Sequence, residues 1–89
     1  MFHLCHKYYY MFLFETILFY KGAPCFYKVY SKNGSGFYCE AQPHFYYRHI
    51  PFPTFTLVEN DNQWQASGTE DDDLVQQVVK ELQSHLQYS

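Results

Sequence analysis

Two groups of side chains in this sequence are of the types that bind transition metals. His3, Cys5 and His6 stand together near the start, and Cys39, His44 and His49 follow the pattern C-x4-H-x4-H. Zinc accepts thiolate and imidazole, and four such ligands close a structural site. Neither group has the paired spacing of a zinc motif, and Pro43 interrupts the second. Both are therefore read as unrelated residues, with no metal and no cofactor. Cys39 and His44 also supply a thiol and a base, but a catalytic pair needs a fixed geometry and an oxyanion site that this spacing does not establish. Phosphate-loop, dinucleotide and G-x-S-x-G signatures are absent. The run Glu70-Asp71-Asp72-Asp73 lacks calcium-loop spacing and sits where a helix would begin. The expectation is a protein that is not an enzyme.

One stretch carries binding chemistry. Phe45-Tyr46-Tyr47-Arg48-His49 places aromatic rings beside a cation, the ingredients of a surface on which nucleic-acid bases stack. Lys28 and Lys32, with Tyr46 and Arg48, would extend it into a module for single-stranded nucleic acid. Strand alternation offers another account, with Phe45 and Tyr47 in the core and Tyr46 and Arg48 in solvent. Nucleic-acid readers usually cluster more cations than this region holds. A net charge of −3 gives no general attraction to phosphate. Nucleic-acid binding is the second reading.

Composition divides the chain. Of its 20 aromatic residues, 18 lie in positions 1–55, and only Trp64 and Tyr88 fall later. Positions 1–55 carry a net charge of +3 and positions 56–89 a net charge of −6. Aromatic side chains favour strands and bury large areas. An aromatic, mildly basic body thus precedes an acidic, helix-forming tail. At 89 residues there is room for one small core. Residues 11–89 are expected to form a single domain, with 1–10 as an arm or upstream extension. Three cysteines without a CxxC spacing fit reduced thiols and a cytoplasmic location. The apolar run 8–20 has 13 residues and contains Glu15, too short for a spanning helix, and no A-x-A cleavage site follows it.

The last element is the clearest. At 100° per residue, Leu74, Val75, Val78, Val79, Leu82 and Leu86 fall within an arc of about 140°. Gln76, Gln77, Lys80, Glu81, Gln83, Ser84 and Gln87 lie opposite. Thr69 is the expected N-cap, with Asp72 at the capping-box position. His85 falls inside the apolar arc and reads as a half-buried packing residue. Upstream, residues 54–58 and 63–66 flank Glu59-Asn60-Asp61-Asn62 as a hairpin. Residues 26–32 and 37–42 flank Asn33-Gly34-Ser35-Gly36 as another. Prolines at 43, 51 and 53 leave room between them for a short strand or an ordered loop. Residues 8–20 read as a strand with a bend or frayed start, because full extension would span ~43 Å.

The run Gly68-Thr69-Glu70-Asp71-Asp72-Asp73-Leu74 resembles the helix opening of the HicB-like antitoxin family, whose small domains run three strands and then a helix. That signature has an Asp between Gly and Thr and an Ala after the acids. This chain has neither, and any capped helix after a turn uses the same letters, so membership is not assigned.

The fold expected is α+β: a small antiparallel sheet of four to five strands, with one C-terminal amphipathic helix packed on one face. One helix leaves the other face uncovered, yet residues 26–30 put aromatics on both. The function expected is that of a non-enzymatic protein-interaction domain that forms a homodimer. Phe12, Phe14, Phe19, Phe26 and Tyr30 are its candidate interface.

Overall fold

A computed structural model describes residues 10–32 and 36–86. It has a five-stranded antiparallel sheet and one C-terminal helix, an α+β fold. The strands are β1 (Tyr10–Tyr20), β2 (Ala23–Lys32), β3 (Phe37–Gln42), β4 (Phe55–Asn60) and β5 (Gln63–Ser67), and they neighbour one another in chain order. The helix α1 runs Asp72–Leu86. Most of the expected N-terminal arm, the Asn33-Gly34-Ser35 turn and the chain end after Leu86 lie outside the described residues. Tyr10, grouped with the arm on sequence grounds, begins β1.

Two tight turns set the hairpins. Lys21 and Gly22 join β1 to β2 with φ of 52° and 85°, and Asp61 and Asn62 join β4 to β5 with φ of 52° and 66°. Positive φ at both central residues is what a two-residue hairpin requires, and Asn, Asp and Gly tolerate it best. The expected four-residue loop at 59–62 is thus shorter, because Asn60 pairs with Gln63. Pro24 lies inside β2 opposite Phe19, beyond the last residues where β3 pairs. Its missing N–H therefore costs no ladder bond.

Strand alternation divides the sheet into a covered and an open face. Phe14, Leu18, Cys25, Tyr27, Val29, Cys39, Phe55 and Leu57 face inward and are buried with Leu74, Val75, Val78, Val79 and Leu82 of α1. That helical set is the apolar arc read from the sequence. The connection 43–54 carries no strand; it contains a 3₁₀ turn at Phe45–Tyr47. The Tyr27 hydroxyl donates to the Pro53 carbonyl at 2.7 Å and anchors the end of this connection to the core.

Gly68 turns the chain from β5 toward the helix at φ 109°, where a Cβ would come within 2.8 Å of the Thr54 carbonyl oxygen. The cap then differs from expectation. The Asp71 carboxylate accepts from the Leu74 amide at 3.0 Å, and its carbonyl takes the first helical bond from Val75. Asp71 is the N-cap. Thr69 acts one step earlier, its hydroxyl accepting from the Asp71 amide at 3.1 Å.

Leu82 is 1 % exposed at the centre of the helix–sheet contact. Leu82→Ala is expected to cost about 2–5 kcal/mol, a large fraction of the stability of so small a domain. Thermal melts of the two proteins check this; equal midpoints would contradict the packing.

Candidate interaction surface

The open face is built mainly by β1 and β2. A bulge between Phe12 and Phe14 shifts the parity of β1. Downstream of it, Glu15, Ile17 and Phe19 pair with Lys28, Phe26 and Pro24; upstream, Phe12 pairs with Tyr30 and Tyr10 with Lys32. The β2 partners all lie opposite in parity to buried Cys25, Tyr27 and Val29, so the whole set shares the face away from α1. Phe12 is 52 % exposed, Ile17 49 %, Phe19 50 % and Phe26 46 %.

The face has three zones. At one end Tyr10 stacks on Tyr38 with centroids 5.0 Å apart, and the Phe12 ring meets Tyr30 edge-on at 5.7 Å. Burial, then the Glu40 carboxylate, raises the Tyr38 hydroxyl above its ordinary pKa. Across the middle, register aligns Glu15, Lys28 and Glu40 on three adjacent strands. Glu40 accepts a long 3.5 Å hydrogen bond from Tyr30, while Lys28 forms no ion pair among the described residues. At the other end Ile17, Pro24 and Phe26 line an apolar hollow of about 240 Å³, rimmed by His44 and Tyr47.

The edge of this face is guarded. Gln77 of α1 accepts from the Phe19 amide at 2.9 Å and donates to the Phe19 carbonyl at 2.7 Å. Asp73 holds the same side-chain amide at 3.2 Å. Gln77 therefore satisfies both edge-facing groups of Phe19, as a neighbouring strand would.

Of the residues singled out in the sequence, Phe12, Phe19, Phe26 and Tyr30 come together on the open face. Phe14 does not: it is 7 % exposed on the covered face and stacks on His85 with centroids 3.9 Å apart. Lys28 and Lys32 lie on the open side of β2, whereas Tyr46 and Arg48 belong to the 43–54 connection. Strand alternation fails in that connection. Phe45 and Tyr46 are 62 % and 71 % exposed, the His44 ring stacks on Tyr46 at 4.9 Å, and the Arg48 guanidinium lies 5.4 Å from the Phe45 ring centre. Sequence reading missed Tyr10 and the Glu15–Lys28–Glu40 row; strand register carries that signal, and only once the bulge is placed.

The Cys39, His44 and His49 pattern is not assembled. Cys39 is buried in the core while His44 and His49 are exposed, and no cluster of three metal-ligating side chains occurs among the described residues. His3, Cys5 and His6 lie outside the described residues. Cys25 and Cys39 are free thiols. Burial pushes Cys39 up to about 12 and also raises Cys25, partly offset by a backbone hydrogen bond at Gln42. No helix among the described residues is long and apolar enough to cross a membrane.

No protein-family model matches the chain, and no curated protein or solved structure is significantly similar to it. The likeness of residues 68–74 to the HicB-like helix opening extends to no family match.

The Cys39 thiol gives a pH dependence. Unfolded, it ionises near its ordinary value of 9.0; folded, only near 12. Between those values the unfolded chain binds fewer protons, so stability is fully present below about pH 9 and falls as pH rises. Urea midpoints measured at pH 8 and pH 10 should drop accordingly, with a shallower drop in Cys39→Ala. An unchanged midpoint in the parent protein would mean that Cys39 ionises as readily folded as unfolded.

Proposed function

We propose that this chain is a non-enzymatic protein-interaction domain that self-associates as a homodimer through the open face of β1 and β2. The observation that carries the reading is the cluster of half-exposed Phe12, Ile17, Phe19 and Phe26 on one face. A half-exposed aromatic side chain offers on the order of 100 Å² for burial. Three such rings, with Ile17, Tyr10, Tyr30 and the Lys28 stem beside them, supply most of the roughly 800 Å² per partner of a standard interface. The β4–β5 part of the same face is more polar, with Thr56, Gln63, Gln65 and Ser67 beside Val58. This confines the apolar patch to the β1 side. The free, buried thiols Cys25 and Cys39 suit a reducing compartment such as the cytoplasm.

The exposed rings of His44, Phe45 and Tyr46 beside Arg48 support the second reading, binding of single-stranded nucleic acid. Against it, Lys28 is flanked in register by Glu15 and Glu40, which repel phosphate.

Light scattering at micromolar concentration is expected to give the mass of two chains, and Phe26→Glu the mass of one. A monomer mass for the parent protein would overturn the self-association reading. Salt-sensitive retention of a single-stranded oligonucleotide by that monomer would favour the second reading, since phosphate contacts release counterions.

A further inference from the structure

We infer that two copies pack open face to open face about a twofold axis running along the strands between β1 and β2, with Lys28 of each chain paired to Glu15 of its partner. The inference rests on the self-association reading and specifies its geometry.

The β1 edge is the first alternative, and two features close it. Gln77 already occupies the edge-facing groups of Phe19. The bulge at Phe12–Phe14 interrupts the ladder near the other end of β1. Between these points, alternation turns only Glu15 and Ile17 outward, too few for a strand-to-strand ladder. Bulges and covered edges are devices that prevent such pairing.

The face has two simple ways to meet its own copy. An axis across the strands, through the charged row, would set Lys28 against Lys28. Like charges at an interface are strongly unfavourable. An axis along the strands, between β1 and β2, exchanges the two strands and preserves each row. Lys28 then meets Glu15 of the other copy, Phe26 meets Ile17, Tyr30 meets Phe12 and Pro24 meets Phe19. In these four pairs each apolar residue meets an apolar partner and Lys28 meets its opposite charge; the same exchange sets Lys32 against Tyr10. These are the pairs already in register within one sheet, and exchange of β1 and β2 turns them into pairs between sheets. An aligned sandwich of two sheets is a common packing. Lys28 has no ion-pair partner of its own among the described residues, which leaves its ammonium available for this role.

The test is a charge exchange. The parent protein is expected to be a dimer. Lys28→Glu sets two carboxylates together twice across the axis, and Glu15→Lys sets two ammonium groups together twice, so each alone should lose about 100-fold in dimer affinity. Mixed in equal amounts, the two variants should form a heterodimer, because each cross-chain pair again sets an acid against a base, one pair as in the parent and the other reversed. A parent dimer whose affinity is unchanged in the single variants, or variants that stay monomeric when mixed, would overturn this geometry and leave self-association standing. A monomeric parent would overturn both. Zero-length carbodiimide cross-linking of mixed isotope-labelled and unlabelled parent chains needs no variant. A mixed-isotope Lys28–Glu15 peptide supports the geometry, and same-isotope peptides alone, from a protein that is dimeric by mass, would overturn it.

Discussion

Strand β2 carries aromatic rings on both of its faces, and the fold has one helix to cover them. Tyr27 and Val29 are fully buried under α1, while Phe26 and Tyr30 point the other way. Each fully buried large side chain contributes about 1.5–3 kcal/mol relative to exposure, so the covered face is where the fold gains its stability. Tyr27 is the centre of that face. Its ring packs near Phe55 with centroids 5.8 Å apart, and its hydroxyl anchors the connection at Pro53. Burial is tolerated because the hydroxyl is satisfied. The connection can therefore cross from β3 to β4 without a strand of its own, and its exposed tip at Phe45 and Tyr46 is set by where that anchor holds it.

Much of this was legible in the sequence, for identifiable reasons. The α1 stripe repeats at helical spacing from Leu74 to Leu86, and nothing in the tertiary structure overrides it. The Asx turn at 59–62 marks a hairpin whichever two of its residues take positive φ. Thr69 and Asp71 are both good capping types. Composition cannot say which one meets the helix; the turn at Gly68 decides it. The connection 43–54 was half legible, since its prolines forbade a long strand. The 3₁₀ turn depends on His44, whose ring nitrogen accepts from the Tyr46 amide at 3.1 Å, a local bond that periodicity does not register.

The bulge in β1 is the feature with the widest consequences, and it has no signature in the run 10–20. Without it, Phe12 and Phe14 would share a face and Phe19 would oppose them. With it, Phe12 and Phe19 are together and Phe14 turns inward to His85. One inserted residue thus moves one aromatic ring into the core and consolidates the open patch. The same irregularity blunts the strand edge. Gln77 does so at the other end, from a helix whose apolar stripe is committed to the opposite face. A small sheet with an eleven-residue outer strand is exposed to unwanted ladder pairing. Here the two guards close the edge and leave the face open.

An exposed aromatic patch alone specifies no partner, because apolar contact is non-directional. The Glu15–Lys28–Glu40 row changes that. A charge set among apolar residues adds little net affinity when paired, but it is costly when left against a like charge, so it acts by exclusion. Placed across three strands, the row excludes the crossing of two faces that superposes Lys28 on its own copy. It accepts the crossing in which β1 and β2 exchange. The second carboxylate, Glu40, lies on the far side of Lys28 and is held by Tyr30, so a shift of the axis by one strand, to between β2 and β3, would also satisfy charge. That shift sets Phe26 against Gln42 in place of Ile17, and it carries β1 opposite β4, so Phe12 meets polar Thr56 in place of Tyr30. In the proposed dimer, charge therefore narrows the register to two, and the apolar content of β1 selects between them.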